Sequence, residues 1–445
     1  MRPDFAAGGA IMRSTHIIEA DLTWTGTSFE PDIQVIVADD GTIDHVGALD
    51  LRPSLRLRQR ALLPGMVNAH SHAFQRGLRG RGETFPTGSG SFWSWREEMY
   101  ALVEEMTPER MYELSRQAFM EMLACGITTV GEFHYLHHHQ PGDFALDEAV
   151  LQAACDTGIR IVLLMTYYKT GGIGRPPSDA QRRFLTDTPQ AFWKRFDALA
   201  GRCEAGTQAL GVAAHSIRAV PLDDLTALHR EARRRGLVFH MHVEEQPKEI
   251  EECRAALDRS PLGVLLERLE IDACFTAVHC THSDPAEMER FLRRGGRVCI
   301  CPLTEANLGD GIADVPAMLD AGGRICVGTD SNARIAFTEE LRWLEYVQRL
   351  QQQRRGVVRD DQGRTANALW TAGTVHGAEA LGVHAGRIAP GYAADLFTLD
   401  LNDPSLAGWT PETLLPAFLF GASDGVVAET CVAGRWVRPP HELLH

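Results

Sequence analysis

The 445-residue sequence lacks the features that would place it in a membrane, in a disulfide-rich secreted class or on nucleic acid. No stretch approaches the roughly 18 uninterrupted apolar residues of a membrane span, and the first residues lack the apolar core of a signal peptide. The ten cysteines form no Cys-x-x-Cys pair, which predicts reduced thiols in a cytoplasm. Net positive charge is absent as well. A net charge of −15 argues against nucleic acid or an anionic membrane as partner.

What remains is an ordinary globular composition, with 44% hydrophobic residues and a mean hydropathy of −0.17. The length suits one large domain and a smaller one. Because the chain is acidic, an acidic substrate would need basic side chains placed at the site itself. Arginines near a candidate site are therefore candidates for binding such a substrate.

Eight apolar runs rich in β-branched residues recur through the middle of the chain, and each predicts a strand. They are Gly65–Phe74, Thr128–Tyr135, Ile159–Tyr167, Leu210–Ile217, Leu237–Val243, Cys274–His279, Arg297–Pro302 and Arg324–Thr329. Helix-like segments separate most of them, and the clearest begins at Thr107-Pro108 and stops at Gly126. Strands that alternate with helices predict a parallel sheet, and eight such units predict a (β/α)8 TIM barrel.

The two ends of the chain differ from the middle. Residues 14–60 and about 385–445 have the pattern of short strands broken by turns, such as Asp40-Gly41. Neither piece could bury a core alone. We therefore expect one small β-sandwich domain built from residues 1–62 and 385–445, with a catalytic barrel, residues 63–384, inserted between its halves.

Polar residues stand where the predicted strands end. His70 and His72 are spaced i, i+2, so on a strand both imidazoles face the same way, and neutral imidazole is a common zinc ligand. His-x-His alone is a weak pattern, since alternating histidines also occur by chance. Other runs end in Glu132, His134, His215, His242, His279 and Asp330. Active sites of TIM barrels lie at this end of the strands.

In chain order, these residues resemble the pattern of the amidohydrolase superfamily, which has His-x-His after strand one, His after strands five and six, and Asp after strand eight. The resemblance covers essentially the whole chain. Many members hold two metals bridged by a carbamylated lysine at strand four, but here that strand ends Ala213-Ala214-His215-Ser216. The resemblance therefore implies one zinc ion per chain, held by His70, His72, His242 and Asp330, with iron in its place left open.

The resemblance also implies roles for neighbouring residues. His279 would orient or polarise the attacking water instead of binding a second ion. The pattern His240-x-His242-x-x-Glu245 resembles the deaminases of the superfamily, in which the glutamate shuttles protons. Asp330 would take the proton of the attacking water, and Glu245 would protonate the departing nitrogen. The adjacent Glu244 is expected to point away as a solvated acid.

Longer stretches resemble one family in particular, the formimidoylglutamate deiminases of bacterial histidine degradation. They cover residues 68–76, 132–138, 304–311 and 339–346. That family removes ammonia from N-formimidoyl-L-glutamate, a small anionic substrate, and leaves N-formyl-L-glutamate. The resemblance implies a homodimer and substrate contacts from Gln75, Arg96, Tyr135, His215 and Arg218. Two arginines suit a substrate with two carboxylates, because planar guanidinium groups bind carboxylates well.

Three alternatives stay open at this point. A guanine or adenosine-type deaminase of the same superfamily would bind a flat, largely neutral base, for which aromatic stacking is more useful than two arginines. A hydrolase that cleaves the other C–N bond would release formamide and glutamate, and ligand spacing does not separate the two reactions. A non-catalytic assembly protein on the same scaffold is disfavoured because every ligand position is filled.

Overall fold

The computed structural model describes residues 16–83, 92–140 and 142–438, so the expectations for the first fifteen residues and the last seven lie outside it. The strands are β1 (His16–Trp24), β2 (Phe29–Glu30), β3 (Gln34–Val37), β4 (Ile43–Gly47), β5 (Leu55–Pro64), β6 (Met66–Ser71), β7 (Ile127–His134), β8 (Arg160–Tyr167), β9 (Gln208–Ser216), β10 (Phe239–Val243), β11 (Phe275–His279), β12 (Arg297–Ile300), β13 (Arg324–Val327), β14 (Leu396–Asp400), β15 (Val427–Val432) and β16 (Arg435–Arg438).

The α-helices are α1 (Phe92–Glu104), α2 (Pro108–Ala124), α3 (Ala145–Thr157), α4 (Pro189–Ala200), α5 (Leu222–Arg234), α6 (Pro247–Leu257), α7 (Pro261–Arg268), α8 (Pro285–Arg293), α9 (Pro302–Leu308), α10 (Val315–Asp320), α11 (Phe337–Gln352), α12 (Thr365–Ala372), α13 (Val375–Ala380) and α14 (Leu414–Gly421). In the described residues, no helix is both long enough and apolar enough to cross a bilayer.

Helix α2 shows how the local sequence fixes an element. The Thr107 hydroxyl accepts a hydrogen bond from the Arg110 N–H, and Pro108 occupies the first turn, where its missing N–H costs nothing. The apolar face that the spacing predicted is buried, for example at Met111 and Met122. The helix ends before Gly126, whose φ of +87° favours glycine.

Strands β6 to β13 form one eight-stranded sheet in chain order, and every neighbouring pair is parallel. Each predicted run overlaps one of these strands, so the predicted barrel is confirmed. The first and last strands meet just beyond β13. The His72 N–H donates to the Asp330 carbonyl at 2.8 Å, and the Asp330 N–H donates to the His70 carbonyl at 3.0 Å.

Side chains strengthen this seam between β6 and β13. The Asn68 amide donates to the Thr329 hydroxyl at 2.7 Å, and its oxygen accepts the Thr329 N–H at 3.0 Å. Gly328 lets the two backbones approach, since a Cβ there would stand 2.7 Å from the His70 Cβ. The seam therefore joins residues from opposite ends of the barrel sequence.

A second, mixed sheet takes its strands from both ends of the chain, as the sequence predicted. Its order is β16-β15-β14-β5-β1-β3-β4, with β2 paired to β1, and only the β1–β5 pair is parallel. Only Gly65 separates β5 from the first barrel strand. The buried Asp395 carboxylate accepts the Arg160 Nε–H at 2.6 Å and so ties this sheet to β8. The exact domain boundaries stay a prediction.

Candidate active site

Four predicted metal ligands meet at the C-terminal end of the barrel. His70 and His72 lie at the end of β6, His242 on β10, and Asp330 at the seam after β13. All four are buried, with at most 6% of the residue exposed. The His70 Nε2 lies 3.2 Å from the His242 Nε2, and one Asp330 oxygen lies 3.4 Å from the His70 Nε2 and 3.2 Å from the His72 Nε2.

Hydrogen bonds assign the protonated ring nitrogen of His72 and of His242, and thereby show which nitrogen faces this cluster without a proton. The His72 Nδ1–H donates to the Phe133 carbonyl at 2.8 Å, and the His242 Nδ1–H donates to the His215 carbonyl at 2.9 Å. A carbonyl can only accept, so the Nδ1 atoms carry the protons and the Nε2 lone pairs point at one another. Such a carbonyl bond to the far nitrogen is the usual support of a metal-bound imidazole.

The electrostatics of the cluster suit a divalent cation. Burial lowers the pKa of His70 to about 3 and that of His242 well below its usual range, so both imidazoles are neutral. Burial opposes ionisation of Asp330, but its close contacts with His70 and His72 outweigh it and hold that pKa well below its ordinary value. Three imidazoles and one carboxylate, with donor atoms within 4.8 Å of one another, form a donor set that fits zinc.

The three predicted catalytic side chains lie beside one another. The His279 Nε2 is 3.7 Å from an Asp330 oxygen and 3.8 Å from a Glu245 oxygen. Burial lowers the pKa of His279, but Glu245, Glu305 and Asp330 outweigh it and raise the value to about 10. Burial raises the pKa of Glu245, and the charges of His279 and Arg218 oppose the rise. A carboxyl group with a raised pKa is suited to both accept and donate a proton near neutral pH.

The backbone turns sharply beside the predicted catalytic side chains. Glu244, His279 and Asp330 have φ angles of +53°, +74° and +46°, in the left-handed region that residues other than glycine rarely adopt. Such conformations cluster at functional sites, because the surrounding structure must hold them. Here they lie at, or shortly after, the ends of three strands at the mouth of the barrel.

A cavity of about 430 Å³ opens onto this cluster. All five predicted substrate-binding residues line it, namely Gln75, Arg96, Tyr135, His215 and Arg218. Glu245, His279 and Asp330 share the same wall. The structure thus brings the predicted acid–base, metal-binding and carboxylate-binding side chains into one space, although their roles stay predictions.

Contacts within the cavity wall hold several of these groups. The Gln75 amide donates to the Tyr135 hydroxyl at 2.8 Å. The Arg218 Nε lies 3.0 Å from a Glu249 oxygen, and its Nη2 lies 3.8 Å from a Glu245 oxygen. Arg218 is buried, and these two carboxylates balance its charge. The residue also borders the cavity.

The structure corrects one expectation and locates another residue away from the cavity. Glu244 points away from the cluster, as predicted, but it is fully buried and accepts the Leu262 N–H at 3.0 Å, so the expectation of a solvated acid was wrong. His134 ends β7 but is not part of the cavity wall. It lies in a second buried group, in which the His137 Nδ1 is 2.9 Å from an Asp147 oxygen.

Sequence reasoning missed two side chains that support the site. One Glu305 oxygen lies 3.3 Å from the His279 Nδ1 and accepts the Cys301 N–H at 2.9 Å, so it orients the His279 ring. Tyr168 follows β8 directly and lines the cavity. Glu305 lies within residues 304–311, which resemble the deiminase family, but no role was predicted for it. Tyr168 directly follows a predicted strand, and that position could have identified it as a site residue.

Comparisons with known proteins agree with this geometry. The Amidohydrolase family profile matches residues 61–437. The chain is 42% identical to the formimidoylglutamate deiminase of Pseudomonas aeruginosa, over 85% of this chain and 84% of that protein. It is 29% identical to a 5-methylthioadenosine/S-adenosylhomocysteine deaminase of Natronomonas pharaonis, over 91% of this chain and 85% of that protein.

Solved structures resemble the fold over nearly the full length. An amidohydrolase from Brucella melitensis superposes with a TM-score of 0.85 at 33% identity, over 95% of this chain and 94% of the other. An adenosine deaminase from Xanthomonas campestris with bound zinc superposes with a TM-score of 0.79 at 22% identity, over 94% and 92% of the two chains. At that lower identity, the likeness concerns the fold alone.

Proposed function

The chain belongs to the amidohydrolase family, and from that premise we propose that it is a zinc-dependent formimidoylglutamate deiminase. It would convert N-formimidoyl-L-glutamate and water into N-formyl-L-glutamate and ammonia. The observation that carries the proposal is one cavity bordered both by the histidine–aspartate cluster and by Arg96 and Arg218. The 42% identity to the Pseudomonas aeruginosa enzyme supports the same substrate.

His70, His72, His242 and Asp330 would hold the zinc ion. When bound, zinc supplies Lewis acidity that makes a nearby water a nucleophile close to neutral pH. Asp330, which the histidines keep ionised, accepts a proton from the water as its oxygen bonds to the amidine carbon. His279, 3.7 Å from Asp330, donates a hydrogen bond to the attacking oxygen and orients it toward the amidine carbon.

Attack on the amidine carbon gives a tetrahedral carbon with one oxygen and two nitrogens. Glu245 donates its proton to the terminal nitrogen, the C–N bond breaks, and ammonia leaves. The hydroxyl oxygen gives its remaining proton to the departing nitrogen and becomes the formyl carbonyl, and the proton taken up by Asp330 returns to Glu245. Arg218, 3.8 Å from Glu245, stabilises the carboxylate formed in that step while it binds a substrate carboxylate.

The proposal includes the finer expectations from the sequence. These are one zinc ion per chain, a homodimer, a cytoplasmic location, a place in histidine degradation, and the domain division 1–62 with 385–445 around 63–384. Elemental analysis tests the metal content, and light scattering tests the dimer.

A purine-type deaminase is the second candidate, because the cavity also contains aromatic side chains such as Trp95 and Tyr168, and the Natronomonas pharaonis relative is similar over most of its length. The deciding experiment measures ammonia release from N-formimidoyl-L-glutamate, adenosine, 5′-methylthioadenosine and guanine. We expect turnover of the first alone, with N-formyl-L-glutamate as the product by NMR. Formamide and glutamate would instead indicate cleavage of the other C–N bond.

A further inference from the structure

Tyr168 presents a side chain to the cavity that none of the roles above uses. It is the first residue after β8 and is 4% exposed. Its ring packs 4.7 Å from the His215 ring and 5.4 Å from the Phe184 ring, measured between centroids. The neighbouring Tyr167 points the other way and donates to an Asp224 oxygen at 2.8 Å. The two adjacent tyrosines therefore point in opposite directions at the end of β8.

A chain of hydrogen bonds shows that the Tyr168 hydroxyl accepts a hydrogen bond from Gln181 and does not donate its proton to that residue. The Gln181 side-chain oxygen accepts from the Ser178 N–H at 2.8 Å and from its hydroxyl at 3.1 Å. This sets the orientation of the amide, whose Nε2 donates to the Tyr168 oxygen at 2.6 Å. The Tyr168 oxygen is thus an acceptor toward Gln181, and its own proton finds no acceptor among the described residues. That proton is available to a molecule in the cavity.

The electrostatic surroundings favour an anion at this point. Burial raises the pKa of Tyr168, and the positive charges of Arg96 and Arg218 oppose the rise. The hydroxyl is therefore neutral at physiological pH, and two guanidinium groups are close enough to act on it. A neutral O–H donor beside two cations is well placed for a carboxylate oxygen, since hydrogen bonds to charged acceptors are the stronger ones.

We propose that Tyr168 is a substrate-binding residue whose hydroxyl donates a hydrogen bond to a carboxylate of the substrate, with Gln181 holding the hydroxyl in position. The proposal rests on the proposed function, because it requires a substrate that carries carboxylates. It adds a directional contact to the two arginines. The segment after β8, which contains Ser178 and Gln181, thereby takes part in substrate selection.

The test compares Tyr168→Phe with the matched variant Tyr167→Phe. The two tyrosines are adjacent and buried, and each substitution removes one hydroxyl. Only the Tyr168 hydroxyl faces the cavity. Steady-state kinetics with N-formimidoyl-L-glutamate should give a KM at least about tenfold higher for Tyr168→Phe, with kcat within about threefold of wild type, as expected for a lost bond to a charged group. Tyr167→Phe should leave KM unchanged. Calorimetric binding of N-formyl-L-glutamate should weaken in parallel.

Substrate analogues sharpen the result. N-formimidoyl-L-glutamine and N-formimidoyl-L-isoglutamine each replace one carboxylate by an amide, so the analogue on which Tyr168→Phe has little effect identifies the carboxylate contacted. An unchanged KM and an unchanged product affinity in Tyr168→Phe would overturn the inference while leaving the function intact. Wild-type protein that fails to turn over N-formimidoyl-L-glutamate would instead overturn the proposed function itself.

Discussion

Replacement of Glu245 by glutamine tests its proposed role in proton transfer while preserving the shape of the side chain. The side chain is 9% exposed, and its oxygens lie 3.8 Å from the His279 Nε2 and 3.8 Å from the Arg218 Nη2. Glutamine has the same shape and keeps a polar oxygen there, but it cannot deliver a proton to a leaving nitrogen. A general acid–base group contributes typically 10²- to 10⁴-fold, which is about 2.7–5.4 kcal/mol of activation free energy.

The assay measures kcat, KM and zinc content of Glu245→Gln, with Glu244→Gln as the matched control. Glu244 is the adjacent glutamate and is also buried, but it accepts the Leu262 N–H at 3.0 Å, a bond that a glutamine oxygen can keep. We expect kcat to fall by 10²-fold or more in Glu245→Gln, with one zinc per chain retained, and to stay near wild type in Glu244→Gln. Near-normal turnover of Glu245→Gln would refute the assigned role, and loss of zinc from that variant would refute the placement of Glu245 outside the metal ligands.

Three further predictions follow from the site and its surroundings. Exhaustive chelation should abolish ammonia release and lower the melting temperature, and added zinc should restore both; full activity in metal-free protein would contradict the metal assignment. Arg96→Ala and Arg218→Ala should each weaken substrate binding by about 2 kcal/mol, roughly 30-fold in KM, and unchanged KM values in both would remove the case for a dicarboxylate. Asp147→Asn should lower the free energy of unfolding by about 3 kcal/mol at pH 7, because the buried His137 loses its carboxylate partner. Burial opposes ionisation of Asp147, but His137 holds its pKa below the ordinary value. The stability difference should therefore shrink as pH falls below about 4, and urea titrations that show no such convergence would contradict a stabilising contact between ionised Asp147 and His137.

The barrel was predictable from sequence because its signals are local. A period of two in the strands, a period of 3.6 in α2 and polar residues at strand ends each depend on a few neighbouring residues. These signals located all eight strands to within a few residues. They also put His70, His242 and Asp330 at the same end of the barrel, since parallel strands share one carboxyl edge.

The remainder of the site depends on contacts that a linear sequence does not reveal. Glu305 matters because a helix N-terminus brings it against His279, and nothing in its local pattern distinguishes it from a capping residue. Glu244 was expected in solvent because glutamate is rarely buried without partners, yet the Leu262 N–H supplies one. His134 shares the strand-end position of the predicted metal ligands, but its ring packs against His137 instead.

The seam between β6 and β13 has a consequence for biosynthesis. His70 and His72 lie at the end of the first barrel strand and Asp330 lies after the last, and the backbone hydrogen bonds that close the barrel also bring these three proposed ligands together. Translation delivers the histidines long before the aspartate. A ribosome-bound chain that stops short of residue 330 therefore lacks one of the four proposed ligands, and under the proposed assignment the complete zinc site would form only when the barrel closes.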